Sequence, residues 1–270
     1  MMEIIHINGK PIEEGMPLRS LMYGEGLFET FRCKSKLPVY FERHIDRMRE
    51  GARILGIPFQ KDEEITEGLQ KTLSVASISD AYVKIGLLST GSPVFYKGPS
   101  ASSLVVMLRK YQPQKQSIDV KVSSYRRNSN SPIVRIKSLN YLENILAKRE
   151  ALSSGYDEAI FLNERNELAE GTVSNIFFIK GKVVCTPSIE CGLLAGIIRG
   201  VIFQLVDEFG LELREGRYGL EELKDNDGVF LTNSLIGAVA VSSIDGISRA
   251  CDCEVFYKLE EGLRGKLGWK

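Results

Sequence analysis

Alternating and helical spacings of apolar residues divide the chain into elements. "EIIHINGKPI" (3–12) places apolar residues around Asn8-Gly9, a pair suited to left-handed turn conformations, and predicts a hairpin. "GLFETFRCKSKLPVYF" (26–41) predicts two strands joined by a turn over 34–37. In "HIDRMREGARILGI" (44–57), Ile45, Met48, Ala52 and Leu55 recur at three- and four-residue steps and form the apolar stripe of a helix. Residues 62–77 read as a second helix and 81–90 as a strand. The apolar run in "SSLVVMLRKY" (102–111) predicts a strand buried on both faces.

The stretch "YQPQKQS" (111–117) is polar, contains proline and has no periodicity, so it reads as a domain linker. A strand over 118–125 follows. In "VRIKSLNYLENILAKREA" (134–151), a β-like alternation through Lys137 gives way to a helical stripe of Leu139, Leu142, Leu146 and Glu150. Strands are expected over 158–163, 173–180, 182–187, 211–218, 227–234 and 238–246. Helices are expected over 197–209 and 254–266. The pattern predicts two α+β or α/β lobes, residues 1–112 and 121–270, joined through 113–120.

Composition narrows the function. With 43% hydrophobic and 26% charged residues, the chain has the profile of a soluble globular protein. Its 35 basic and 35 acidic residues cancel, so no global field attracts nucleic acid or an anionic membrane. The first fifteen residues lack the basic and apolar regions of a secretory signal. "GLLAGIIRGVIFQLV" (192–206), the most apolar stretch, is too short to span a bilayer and is interrupted by Arg199. Five cysteines without a CxxC pair suggest a reduced, cytoplasmic chain. The only histidines, His6 and His44, are expected to be structural, and no metal site is expected.

Four features could carry chemistry. Lys137 would be a nucleophile only if burial or neighbouring cations destabilised its ammonium, and Arg135, on the same side of the expected strand, could supply such a cation. Otherwise Lys137 is a solvated strand end. Glu170 precedes a glycine and a strand in "ELAEGTVSNIF" (167–177); it either caps the turn or faces a nitrogen heterocycle. "GLLAGIIRG" (192–200) opens a helix whose first amides could bind an anion, although it is neither GxGxxG nor a P-loop. Arg47 points away from the apolar stripe of its helix, and periodicity alone makes it solvated.

In order along the chain, "YGEGLFETFR", "HIDRMREGARILGI", "IKSLNYLENILAKREA", "GYDEAIFLNERNELAEGTVSNIF", "TPSIECGLLAGIIRG" and "LTNS" closely resemble the fold-type IV pyridoxal-phosphate enzymes, the class IV aminotransferases. The resemblance covers almost the whole chain. It implies the two-lobed, D-amino-acid aminotransferase-like fold, with a small N-terminal α/β lobe, a larger barrel-like C-terminal lobe, and pyridoxal 5'-phosphate as cofactor. Matched residue by residue, Lys137 is the Schiff-base lysine and Glu170 the partner of the pyridine nitrogen. Arg47, the amides of Ile197 and Ile198, and Ser234 are the phosphate ligands. Some relatives have threonine where this chain has Ile198. Tyr141 falls near a tyrosine that contacts the cofactor phenolate, with a spacing from the lysine one residue shorter. Tyr23, Thr30, Arg109 and Leu235 are the implied substrate contacts, and Arg126 and Arg127 are further carboxylate binders, at least two of the three arginines being expected at the surface. The resemblance implies a homodimer acting on a small amino substrate. Within the family the details look like aminodeoxychorismate lyases, which form 4-aminobenzoate and pyruvate. A branched-chain or D-amino-acid aminotransferase is the alternative.

Overall fold

The computed structural model describes every residue except 1–5, 9, 12, 14, 35, 114, 249, 250, 252 and 270. β1 (His6–Ile7) and β2 (Lys10–Pro11) pair antiparallel, with Asn8 between them at φ 52°. The side chain of His6 lies outside the described residues. A short helix, α1 (Leu18–Tyr23), follows. Its buried Arg19 pairs with Glu25 and donates to the carbonyls of Ser92 and Val94 at 2.8 and 2.9 Å.

The smaller lobe is an antiparallel sheet of β3 (Gly26–Lys34), β4 (Asp80–Thr90) and β5 (Ala101–Lys110). One face is covered by α2 (Phe41–Leu55) and α3 (Asp62–Ala76). The alternation of β3 sends Leu27, Phe31 and Cys33 into that core, where they meet Ile45, Met48 and Ala52 of α2. Expected to be buried on both faces, β5 is instead the edge strand. Leu104, Val106 and Leu108 pack inward, while Val105 and Met107 are exposed.

The larger lobe is a curled half-barrel of nine strands. It contains β6 (Ser117–Arg127), β7 (Glu158–Asn163), β8 (Leu168–Gly171), β9 (Asn175–Lys180), β10 (Val183–Pro187), β11 (Glu212–Gly216), β12 (Gly228–Asn233), β13 (Gly237–Ile244) and β14 (Ile247–Ser248). Their order is β11-β10-β9-β12-β13-β6-β7-β8, with β14 paired to β13. Strands β9 and β12 are apolar on both faces because both are covered. Ile176, Phe178, Val229 and Leu231 face one core. Phe177, Ile179 and Phe230 face the other, beneath α5 (Ile197–Glu208) and α6 (Glu254–Leu267). No helix among the described residues is long and apolar enough to cross a membrane.

The segment around Lys137 departs from expectation. Pro132–Arg135 form a 3-10 turn rather than a strand, and α4 (Leu142–Ser153) begins five residues after Lys137. The stripe Leu142 and Leu146 faces outward, 73% and 44% exposed, while Asn144, Ala147 and Ala151 are buried. Small residues let the helix lie close on the sheet, where the two alanines meet Ala159, Phe161 and Ala169. Volume, rather than hydrophobicity, decided which face went in.

Ile85 of β4 is fully buried at the centre of the smaller core. Ile85→Ala is expected to lower stability by about 2–5 kcal/mol in denaturant unfolding, while Val75→Ala, at a position 79% exposed, changes it by less than about 0.5 kcal/mol.

Candidate active site

One cavity of about 550 Å³ lies between the lobes. Its walls bring together Arg47, Lys137, Tyr141, Glu170, Ile197, Ile198 and Ser234 with Thr30, Arg109 and Leu235. Tyr23 is not brought there; it is 42% exposed and its hydroxyl donates to the Pro93 carbonyl.

Lys137 is fixed by its backbone. Its carbonyl accepts from Phe28 N–H at 2.9 Å, and Leu139 N–H donates to Gly26 O at 2.9 Å, so the segment adds a short bridge to β3. Gly26 leaves room for this approach: a Cβ there would lie 2.6 Å from Leu139 Cδ1 and 3.0 Å from the Leu87 carbonyl oxygen. The Lys137 side chain lies in the cavity, with Nζ 4.7 Å from the Phe28 ring centre. Burial, with Arg47 as the next contribution, brings its ammonium down to about 8. Lys84 adds to the effect. Arg135, the other candidate for this part, is exposed on the 3-10 turn and is not among the leading causes.

Arg47 is held away from solvent by Glu29, a residue that the periodicity had not singled out. Glu29 follows Leu27 and precedes Phe31 on the core face of β3, and it is fully buried. Arg47 donates to its two oxygens at 2.8 and 2.7 Å, and His44 Nδ1 lies 2.6 Å from it. Burial holds the His44 imidazole below its ordinary value, so the neutral ring donates to the carboxylate. Burial alone would raise the Glu29 carboxyl; Arg47 and His44 outweigh it and hold it near 2. The sequence signal was available: a carboxylate in an apolar alternation, opposite two nitrogen-bearing side chains three residues apart on a helix.

The third bond of Arg47 reaches Ala195 O at 3.0 Å, which sets its guanidinium beside the start of α5. Three of its five N–H donors are thereby used, leaving two. The first amides of α5 have no carbonyl of their own helix to meet. Gly196, its N-cap, sits against Asn175, whose Oδ1 would be 2.0 Å from any Cβ at that position. Two buried hydroxyls on the cavity wall, Ser174 Oγ and Thr232 Oγ1, have no hydrogen-bond partner among the described residues. Guanidinium, helix start and unpaired hydroxyls suit a phosphate.

Glu170, 8% exposed, accepts from Leu194 N–H at 3.0 Å and Arg127 at 3.2 Å. Burial raises its carboxyl despite Arg127 and Lys137. That suits a carboxylate facing a ring nitrogen, where one proton is shared. Arg127 is buried, also bonds Glu143 and Asn144, and lies 4.1 Å over Phe161; Arg126 and Arg109 are exposed, Arg109 at the cavity rim over Tyr82. Tyr141 donates to Thr172 O at 2.8 Å and meets Phe28 edge-on at 5.1 Å. Burial and Glu170 push its phenol upward. A second amine, Lys84, lines the same cavity and lies over Phe28, 4.2 Å from the ring centre, with no carboxylate in contact among the described residues. Burial lowers it too. The apolar alternation of β4 had hidden it.

In cofactor-free protein, modification of Lys137 by an amine-reactive reagent should show a pH midpoint near 8; Arg47→Met, which removes the neighbouring cation, should move that midpoint up. The folded Glu29 carboxyl near 2 lies below its ordinary 4.5. Its ion pair with Arg47 and its hydrogen bond from His44 therefore add stability that is full above 4.5 and is lost as the pH falls toward 2. Glu29→Gln should cost about 3–5 kcal/mol at neutral pH, and acid unfolding should show the gap to wild type closing over that window.

Residues 26–244 match the family described as amino-transferase class IV. Aminodeoxychorismate lyase of Bacillus subtilis (strain 168) is 34% identical over 259 residues, 91% of this chain and 88% of its own. The crystal structure of a candidate 4-amino-4-deoxychorismate lyase from Legionella pneumophila superposes with a TM-score of 0.88 at 31% identity, covering 92% of this chain and 93% of that one. A T.th. branched-chain amino acid aminotransferase, solved with N-(5'-phosphopyridoxyl)-L-glutamate, superposes at 0.82 with 25% identity over 96% of this chain and 92% of its own.

Proposed function

The chain belongs to the class IV aminotransferase family, and from that premise we propose that this pyridoxal-phosphate enzyme is an aminodeoxychorismate lyase, converting 4-amino-4-deoxychorismate to 4-aminobenzoate and pyruvate. The observation that carries the cofactor reading is the meeting, in one cavity, of an easily deprotonated lysine, a buried carboxylate and a phosphate cradle. The choice of lyase is supported by the likeness to the Bacillus subtilis and Legionella pneumophila proteins. Lys137 would attach the cofactor and Glu170 would hold its pyridine nitrogen. Arg47, Ser234 and the Ile197 and Ile198 amides would hold its phosphate. At Ile198 the contact would be through the backbone amide alone. Tyr141, engaged by Thr172, would pack the phenolate side of the ring.

Bound pyridoxal phosphate supplies an electron sink for the carbon that bears the substrate amine. The chain supplies the rest. Lys137 Nζ takes the proton from that carbon, at an amine already poised near pH 8. The C–O bond on the adjacent ring carbon then breaks, the ring becomes aromatic, and the departing enolpyruvyl group takes a proton at its methylene carbon to become pyruvate. Lys84 and Arg109 give two cationic positions for the two substrate carboxylates, with Thr30 beside Lys84 in β-register and Leu235 on the apolar side.

The aminotransferase alternative is supported by the T.th. relative, whose bound adduct carries glutamate. The larger lobe and smaller lobe divide near residues 113–120. A second copy of the chain would cover the exposed Leu142, Ile145, Leu146 and Leu152 of α4, making a homodimer, and the five free thiols fit a cytoplasmic setting.

Supplied with 4-amino-4-deoxychorismate, the enzyme should release 4-aminobenzoate and pyruvate in equal amounts; keto acid formation from amino donors without 4-aminobenzoate would establish the aminotransferase instead. Borohydride should lock cofactor mass onto Lys137, and Lys137→Ala should abolish turnover. Lys84→Met should raise KM roughly 10- to 100-fold, the loss of one charged hydrogen bond.

A further inference from the structure

Behind the cavity, on the far side of Ile197, Ile198 and Ser234, lies a small crevice closed by Leu267 and Trp269. The same three residues line both spaces, so they form a thin wall with the phosphate cradle in front and an indole behind. Gly268 takes a left-handed conformation after α6, and Trp269 N–H returns to Arg264 O at 3.0 Å, which folds the indole back toward the lobe boundary.

Trp269 is gripped from the other lobe. The Arg32 guanidinium of β3 stacks 4.9 Å from the indole and 3.9 Å from Tyr111, and Asp80 fixes its plane through two bonds of 2.7 and 2.6 Å. Tyr111 in turn donates to Leu235 O at 3.0 Å. Leu235 lies in the turn between β12 and β13 that also carries Ser234. Within this turn Asn233 Oδ1 accepts from the amides of Leu235 and Ile236, at 2.9 and 3.0 Å. The turn closes at Gly237, φ +70°, where an added Cβ would lie 3.1 Å from the Trp269 ring. Indole, tyrosine and arginine thus brace one turn from outside while its Ser234 faces the site.

We propose that Trp269, clasped by Arg32, is a positioning residue for the cofactor phosphate: it holds the Ser234–Gly237 turn and the start of α5 from behind, so that seating of the phosphate and closure of this clasp are linked. The proposal rests on the phosphate cradle assigned above and is independent of which reaction the enzyme performs. A bracing role of this kind acts on the phosphate alone and leaves ring recognition by Lys137 and Glu170 untouched. Trp269 is also the only tryptophan in the chain, so its own emission reports on the clasp.

The test uses the cofactor-free full chain and three probes: pyridoxal phosphate, pyridoxal and inorganic phosphate. In wild type, phosphate alone should change the Trp269 fluorescence, and pyridoxal phosphate should bind more tightly than pyridoxal. Trp269→Ala should weaken pyridoxal phosphate and inorganic phosphate by about tenfold while leaving pyridoxal unchanged, and Trp269→Phe should restore most of the loss. Arg32→Gln keeps the indole and should show the same phosphate-selective defect, which serves if Trp269→Ala folds poorly. Equal weakening of pyridoxal and pyridoxal phosphate, or phosphate affinity within twofold of wild type in both Trp269→Ala and Arg32→Gln, would overturn the proposal and leave Trp269 as packing. A wild type with no preference for pyridoxal phosphate over pyridoxal would overturn the cradle itself.

Discussion

A fully buried carboxylate organises the space between the lobes. Glu29 has no water to solvate it, so it must be satisfied by Arg47 and His44, and that demand fixes the guanidinium in place. Arg47 then reaches Ala195 of the other lobe and stands close enough to Lys137 to help drive its ammonium toward the neutral form. The charge arrangement of the cavity follows from that anchorage. Arg47, Lys84 and Lys137 face a common space that Glu170 also lines, while Glu29 sits buried behind Arg47.

The sheets supply the rigidity this arrangement needs. Strands β9 and β12 are covered on both faces, and the turn after β12 and the helix after β10 project from that core into the cavity. The Lys84 and Lys137 amines both lie over the Phe28 ring, 4.2 and 4.7 Å from its centre, a contact that pairs neither of them with a carboxylate.

Much of the fold could be read from the chain, because strands and helices announce themselves through spacing. The apolar runs at 173–180 and 227–234, the stripe Ile45/Met48/Ala52 and the helix starting at Ile197 all lie where the pattern put them. What failed, failed for physical reasons. In α4 the buried face is alanine because the helix sits close to the sheet, and a hydrophobicity count cannot see distance. In β5 an apolar run met an edge. Arg47 looked solvated because stripe logic assumes an apolar core, whereas this core contains Glu29. Lys137 and Glu170 stood out through family resemblance; taken singly, their surroundings in sequence favoured a strand end and a turn cap. The cavity that gathers them is a tertiary property, made from strands far apart along the chain.

The hydrogen bonds that tie Lys137 and Leu139 to β3 have a mechanical consequence. They fasten the lysine backbone to the smaller lobe, while Glu170, Ser234 and the start of α5 belong to the larger one. A hinge opening between the sheets would drag the amine away from the wall it faces. Alignment here is therefore maintained by immobility of the frame, and the freedom that turnover requires is left to the methylenes of one side chain.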